Sequence, residues 1–90
     1  MKLTIWKFLL PLGDNIVSMP KGSRFLHVSE QSMQVHVWVL CDPEAPLVQH
    51  YYCIFGTGHP PTGSGTYVGS AHCGPFVWHV FDCGEVEEVV

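Results

Sequence analysis

Charge is what this chain has least of. Only four of its 90 residues are Lys or Arg and eight are Asp or Glu. Charged side chains make up 13%, about half the share of an ordinary globular chain. From Phe25 to Val90 there is no Lys or Arg at all. A protein that grips DNA or RNA neutralises several phosphates, so long nucleic acid is excluded as a partner. No apolar run approaches the roughly 18 residues that span a bilayer as a helix, so no membrane partner is expected. There is no Cys-x-x-Cys pair, no Gly-Lys-Ser/Thr phosphate loop and no internal repeat. No segment keeps a capped apolar period of 3.6 residues, so helices are not expected.

What is present is apolar. Hydrophobic residues reach 47% and aromatic residues 12%, which excludes a disordered chain. A length of 90 residues suits one domain. We take it as residues 1–84, followed by a short acidic tail over 85–90. With so few charges and so small a core, apolar surface is left over, and a homo-oligomer would cover it.

The opening Met1–Pro11 resembles a leader peptide only superficially. Lys7 breaks its apolar stretch, Pro11 ends it, and no small-residue cleavage site follows. It reads as a first strand, with a cytoplasmic setting. Cys41, Cys53, Cys73 and Cys83 then read as buried thiols. Their spacing, alone or with His72 and His79, matches no zinc template, so neither metal nor cofactor is expected.

A period of two runs through the rest. Met33, Val35, Val37, Val39 and Cys41 alternate with Gln34, His36, Trp38 and Leu40, which gives an apolar face and a second face only partly polar. Strands are expected over 3–9, 15–19, 24–31, 33–42, 47–55, 66–73 and 75–83. In the third, Leu26 and Val28 oppose His27 and Ser29. Turns are expected at Pro20–Ser23, Gln31–Ser32, Pro43–Pro46 and Gly74. About seven short strands with turns every 8–12 residues predict an all-β fold, a small antiparallel sandwich or barrel.

Two segments could carry chemistry. Gly56-Thr57-Gly58-His59-Pro60-Pro61-Thr62-Gly63-Ser64-Gly65 is about twice as long as a usual hairpin loop. Its glycines free backbone N–H groups to face an anion. Thr57, Thr62 and Ser64 add hydroxyls, and His59 adds a ring. The second is Met19–Arg24, which concentrates half of the chain's cations. Arg24 can hold a phosphate bidentately and Lys21 adds a point charge. The two segments form one site if they line a shared cleft, within a chain or across a subunit interface. Trp38, on the second face of its strand, is available to stack a base. A catalytic set is not evident. His72 and Cys73 are adjacent and point oppositely in a strand, and Asp42, Asp82 and Glu30 have no visible partner, so an enzyme is not expected.

The ordered strings Ile5-Trp6-Lys7-Phe8, Met19-Pro20-Lys21-Gly22, Asp42-Pro43-Glu44-Ala45-Pro46, Gly56-Thr57-Gly58-His59-Pro60 and His79-Val80-Phe81 resemble a family of small, uncharacterised phage and prophage proteins. The resemblance implies a phage gene product in the host cytoplasm. By analogy with small oligomeric phage sponges, it suggests a non-enzymatic binder that sequesters a small phosphorylated signal. That ligand would be cyclic-nucleotide or NAD-derived, and its removal would blunt antiviral defence. In this reading Gly56, Thr57, Gly58, His59, Thr62 and Ser64 hold phosphate together with Lys21 and Arg24, and Trp38 stacks the base. Two alternatives stay open: a protein-interaction module, acting as a host-factor inhibitor or virion accessory protein, and a small hydrolase or metalloprotein.

Overall fold

The computed structural model describes residues 2–59 and 65–86. They form seven strands and no helix. These are β1 (Thr4–Leu10), β2 (Asp14–Pro20), β3 (Arg24–Gln31), β4 (Gln34–Cys41), β5 (Leu47–Gly56), β6 (Thr66–Cys73) and β7 (Phe76–Glu85). One sheet has the order β1-β4-β3 and the other β2-β5-β7-β6. All pairs are antiparallel. The expected all-β class and the seven strands are what the chain adopts.

The alternation in β4 sets the core. Val35, Val37, Val39 and Cys41 are buried, and successive side chains of a strand leave opposite faces. Leu10 and Val28 join them from the flanking strands, while Tyr52, Ile54, Ala71 and Val80 come from the second sheet. Where the two sheets meet at their edges, β6 lies against β3. A Cβ on Gly69 would stand 2.7 Å from Cγ1 of Val28, so only glycine fits there. The buried Asn15 fastens the β1–β2 connection, its amide donating to the carbonyls of Pro11 and Gly13 at 2.5 and 3.1 Å.

Two side chains depart from the alternation. Met33, expected on the core face, is 61% exposed. The β3–β4 hairpin turns on Ser32 and Met33, both with positive φ of 55° and 65°, so Met33 belongs to the turn. Leu26, expected to share the face of Val28, is 45% exposed. It is the extra residue of a bulge between the pairs Phe25–Val39 and His27–Trp38, so Phe25 takes its place on the core side. β7 runs on through Glu85, into the segment read as tail. Residues 87–90 lie outside the described residues.

Candidate functional site

The Pro20–Ser23 turn joins β2 to β3. The Ser23 N–H donates to the Pro20 carbonyl at 3.1 Å and the Ser23 hydroxyl to the same oxygen at 2.5 Å. Gly22 has φ 81°, the value that the third residue of a type II turn requires. Its N–H is therefore not used inside the turn, and it donates instead to the Glu85 carboxylate at 2.6 Å. The turn thus already holds one anion. The Lys21 N–H donates to the Pro46 carbonyl at 2.8 Å, which ties the turn to the segment before β5. Lys21 stands between two clefts. One, of about 310 Å³, is lined by Lys21, Gly22, Arg24, Leu40 and Asp42 among others. The other, of about 610 Å³, is lined by Ser18, Lys21, Gln49, Glu85 and Val86 among others.

Arg24 leads from the first cleft onto the outer face of the β1-β4-β3 sheet. Register places Ile5, Leu40 and Arg24 in one row across the three strands, Lys7, Trp38 and His27 in the next, and Leu9, His36 and Ser29 in the third. Rows on one face are about 7 Å apart and strands about 4.8 Å, so Arg24 and Trp38 are neighbours. Trp38 lies between two imidazoles, with ring centroids 5.7 Å from His27 and 6.2 Å from His36. Lys7 reaches over the face to donate to the Gln31 side-chain oxygen. None of these rows contains an Asp or Glu.

The Gly56 loop begins with a turn of the same kind. The His59 N–H donates to the Gly56 carbonyl at 3.1 Å, and Gly58 has φ 90°. Gly56 is hemmed in, since a Cβ there would stand 3.1 Å from the His59 ring and 3.3 Å from Trp78. A recess of about 220 Å³ lies beside it, lined by Thr57, His59, Phe55, Tyr67, His79 and Phe81 among others. His79 has a hydroxyl at each ring nitrogen, Thr57 at 2.7 Å and Tyr67 at 3.1 Å. Thr62 and Ser64 lie outside the described residues.

These placements divide the expected site. Lys21 and Arg24 share a cleft, and Arg24 shares a face with Trp38. Gly56, Thr57, Gly58 and His59 gather at the aromatic recess. The turn and the loop sit at opposite ends of β5, because Pro20 pairs with Leu47 while Gly56 ends the strand. Nine residue steps separate those ends, or about 30 Å. Within one chain, and among the described residues, they line no common cleft.

A further polar cluster escaped the sequence. Asp82, which had no visible partner, accepts a hydrogen bond from Nε2 of the buried His50 at 2.7 Å and from the Gly84 N–H at 2.8 Å. Burial pushes the Asp82 carboxyl up, but the His50 and Gly84 hydrogen bonds and the His50 charge pull it down further, to a net value below that of an ordinary aspartate. Tyr52 stacks on His50 at 4.8 Å, and burial, with the nearby Asp82 charge, raises its hydroxyl far above the usual range. β5 and β7 are paired but separated in sequence by β6, so no local spacing announces this contact.

Fold and site together define a two-sheet antiparallel protein with a cationic, tryptophan-bearing face next to an anion-holding turn. The family defined by DUF7352, a domain of unknown function, matches residues 1–89, and the chain belongs to that family. No curated protein and no solved structure matches it.

Proposed function

We propose that this protein binds a small phosphorylated molecule, of the nucleotide class, and releases it unchanged. The phosphate sits against Lys21, the Gly22 amide and Arg24, and the base lies over Trp38 in the adjoining row. The observation that carries this reading is the Pro20–Ser23 turn, where the Gly22 N–H already holds a carboxylate at 2.6 Å beside a cleft lined by Lys21 and Arg24. A turn amide, once Glu85 yields it, and two cations suffice for one phosphate group. They would not suffice for a polynucleotide. The aromatic recess at Gly56–His59 serves the same ligand only if a second copy of the chain brings it to the first, which makes a homo-oligomer part of the proposal. In the phage setting that the sequence strings imply, holding such a signal without cleaving it deprives a host defence of its messenger.

Isothermal calorimetry against cyclic dinucleotides, cyclic trinucleotides and cyclic ADP-ribose isomers tests this. At least one should bind with Kd below about 10 μM, near −7 kcal/mol. Arg24→Ala and Trp38→Ala should each weaken it at least about tenfold, the loss of roughly 1.4 kcal/mol. Ligand recovered from denatured complex should be intact. A panel in which nothing binds below 10 μM overturns the reading.

The second reading is a protein-interaction module. It is favoured by Ile5 and Leu9, 57% and 43% exposed on the same face as Trp38. A stoichiometric host protein retained by Arg24→Ala would select it.

A further inference from the structure

We infer that Glu85 is a resident competitor in the anion site, and that its carboxylate raises the concentration an anion needs to enter. This deepens the phosphate reading of the Pro20–Ser23 turn and rests on it.

Glu85 is the last residue of β7 and Gly22 lies 63 residues earlier in the chain. The contact is not a local accident of the turn. The backbone on both sides of Glu85 is held: β7 pairs with β5 up to the register of His50 and Glu85, and the Val86 N–H donates to the Gln49 carbonyl at 2.8 Å. The side chain is thereby delivered to the Gly22 amide, which the turn itself leaves unused. The same residue lines the 610 Å³ cleft on the far side of Lys21, a volume within the roughly 300–1,000 Å³ of small-molecule sites.

The contact is open to exchange. Glu85 is exposed, so a competing anion can reach the contact, while the charged acceptor keeps the amide covered most of the time in that anion's absence. A phosphate brings more acceptor oxygens to the same N–H, and Lys21 and Arg24 stand on either side of Gly22 in the chain to meet them. An incoming anion must outcompete a carboxylate that is already in place. The preference for phosphate over a simple carboxylate comes from Lys21 and Arg24, which line the cleft beside Gly22. The occupied state also lowers the apparent affinity for every anion by the fraction of time the amide is covered.

The experiment is a titration of the full chain with inorganic phosphate at constant ionic strength, followed at the Gly22 amide by ¹⁵N–¹H correlation NMR. Glu85→Ala should lower the half-saturating phosphate concentration about five- to tenfold, the tax removed when a mostly covered site is freed. Glu85→Gln, which keeps a neutral acceptor, should fall between the two. Glu44→Gln removes an acid that does not contact Gly22 and should leave half-saturation unchanged. Amide positions distant from the turn report that each variant is folded. Equal half-saturation in wild type and Glu85→Ala overturns the inference, as does a Gly22 amide silent in both, or an equal gain from Glu44→Gln. These outcomes are separate from the nucleotide panel. Phosphate can respond to Glu85 while every nucleotide fails, and a nucleotide can bind through Arg24 and Trp38 while Glu85 proves inert.

Discussion

Met33 and Ser32 carry the β3–β4 hairpin with both residues left-handed. That is the conformation of a type I′ turn, which favours Asn-Gly over Ser-Met. The Glu30 carboxylate compensates in part, accepting the Met33 N–H at 2.9 Å. Met33→Gly removes the penalty of a side chain at positive φ and should stabilise the protein by about 0.5–1 kcal/mol. The urea midpoint measures it. A lower midpoint would mean that the Met33 methyl, close to Gly74, contributes more by packing than the backbone loses by strain. Single residues were legible where their chemistry was scarce. Lys21 and Arg24 stood out because cations are few, and they do share a cleft. Met33 misled because an apolar side chain extends the alternation of β4 by one step whether or not the backbone does.

Strand positions were legible to within one or two residues, because Pro20–Ser23, Pro43–Pro46 and Gly74 punctuate a clear period of two. Bulges were not. The extra residue at Leu26 turns a side chain to the other face, and a second irregularity lies between Tyr67 and Gly69. Composition marks only the second, where Gly69 interrupts the strand. The close approach of β6 to β3 was equally hidden, and it depends on Gly69. Gly69→Ala places a methyl against Val28 and forces alanine to φ 147°. It should cost about 2–4 kcal/mol by the combined overpacking and backbone strain, read as a fall in the urea midpoint. Adding Val28→Ala should recover part of that loss, and strict additivity of the two changes would show that they do not meet.

At the scale of the molecule the scarce charge is sorted in space. The first 24 residues sum to +3 and the other 66 to −7. Lys7 and Arg24 reach one sheet face, while Asp82 pairs with His50 between β7 and β5. The sequence showed the imbalance but not the geometry, since pairing of distant strands decides which residues meet. That is why His50–Asp82 escaped notice and why the loop and the turn proved to be far apart. The pair has a pH signature. The Asp82 carboxyl is lower in the folded state than in an ordinary aspartate. Its stabilising contribution is therefore complete above the ordinary aspartate value, about 3.9, and is lost as pH falls through the lower folded value. Asp82→Asn should be about 2 kcal/mol less stable near pH 6, the scale of a hydrogen bond to a charged group. The gap should narrow below roughly pH 4. Thermal melts of both proteins across that range check it, and a gap that does not change with pH would show that the ionised carboxylate contributes nothing.

The topology also has a consequence for the newborn chain. β1 is hydrogen-bonded to β4 and β2 to β5, with no partner earlier in the chain for either. Synthesis runs from β1 onward, so Ile5-Trp6-Lys7-Phe8-Leu9-Leu10 emerges from the ribosome well before β4 exists to cover it. During that interval the segment has the character of an aggregation-prone strand. Lys7 is the one charge within it, and it acts there as a gatekeeper against self-association before it serves any purpose on the finished face.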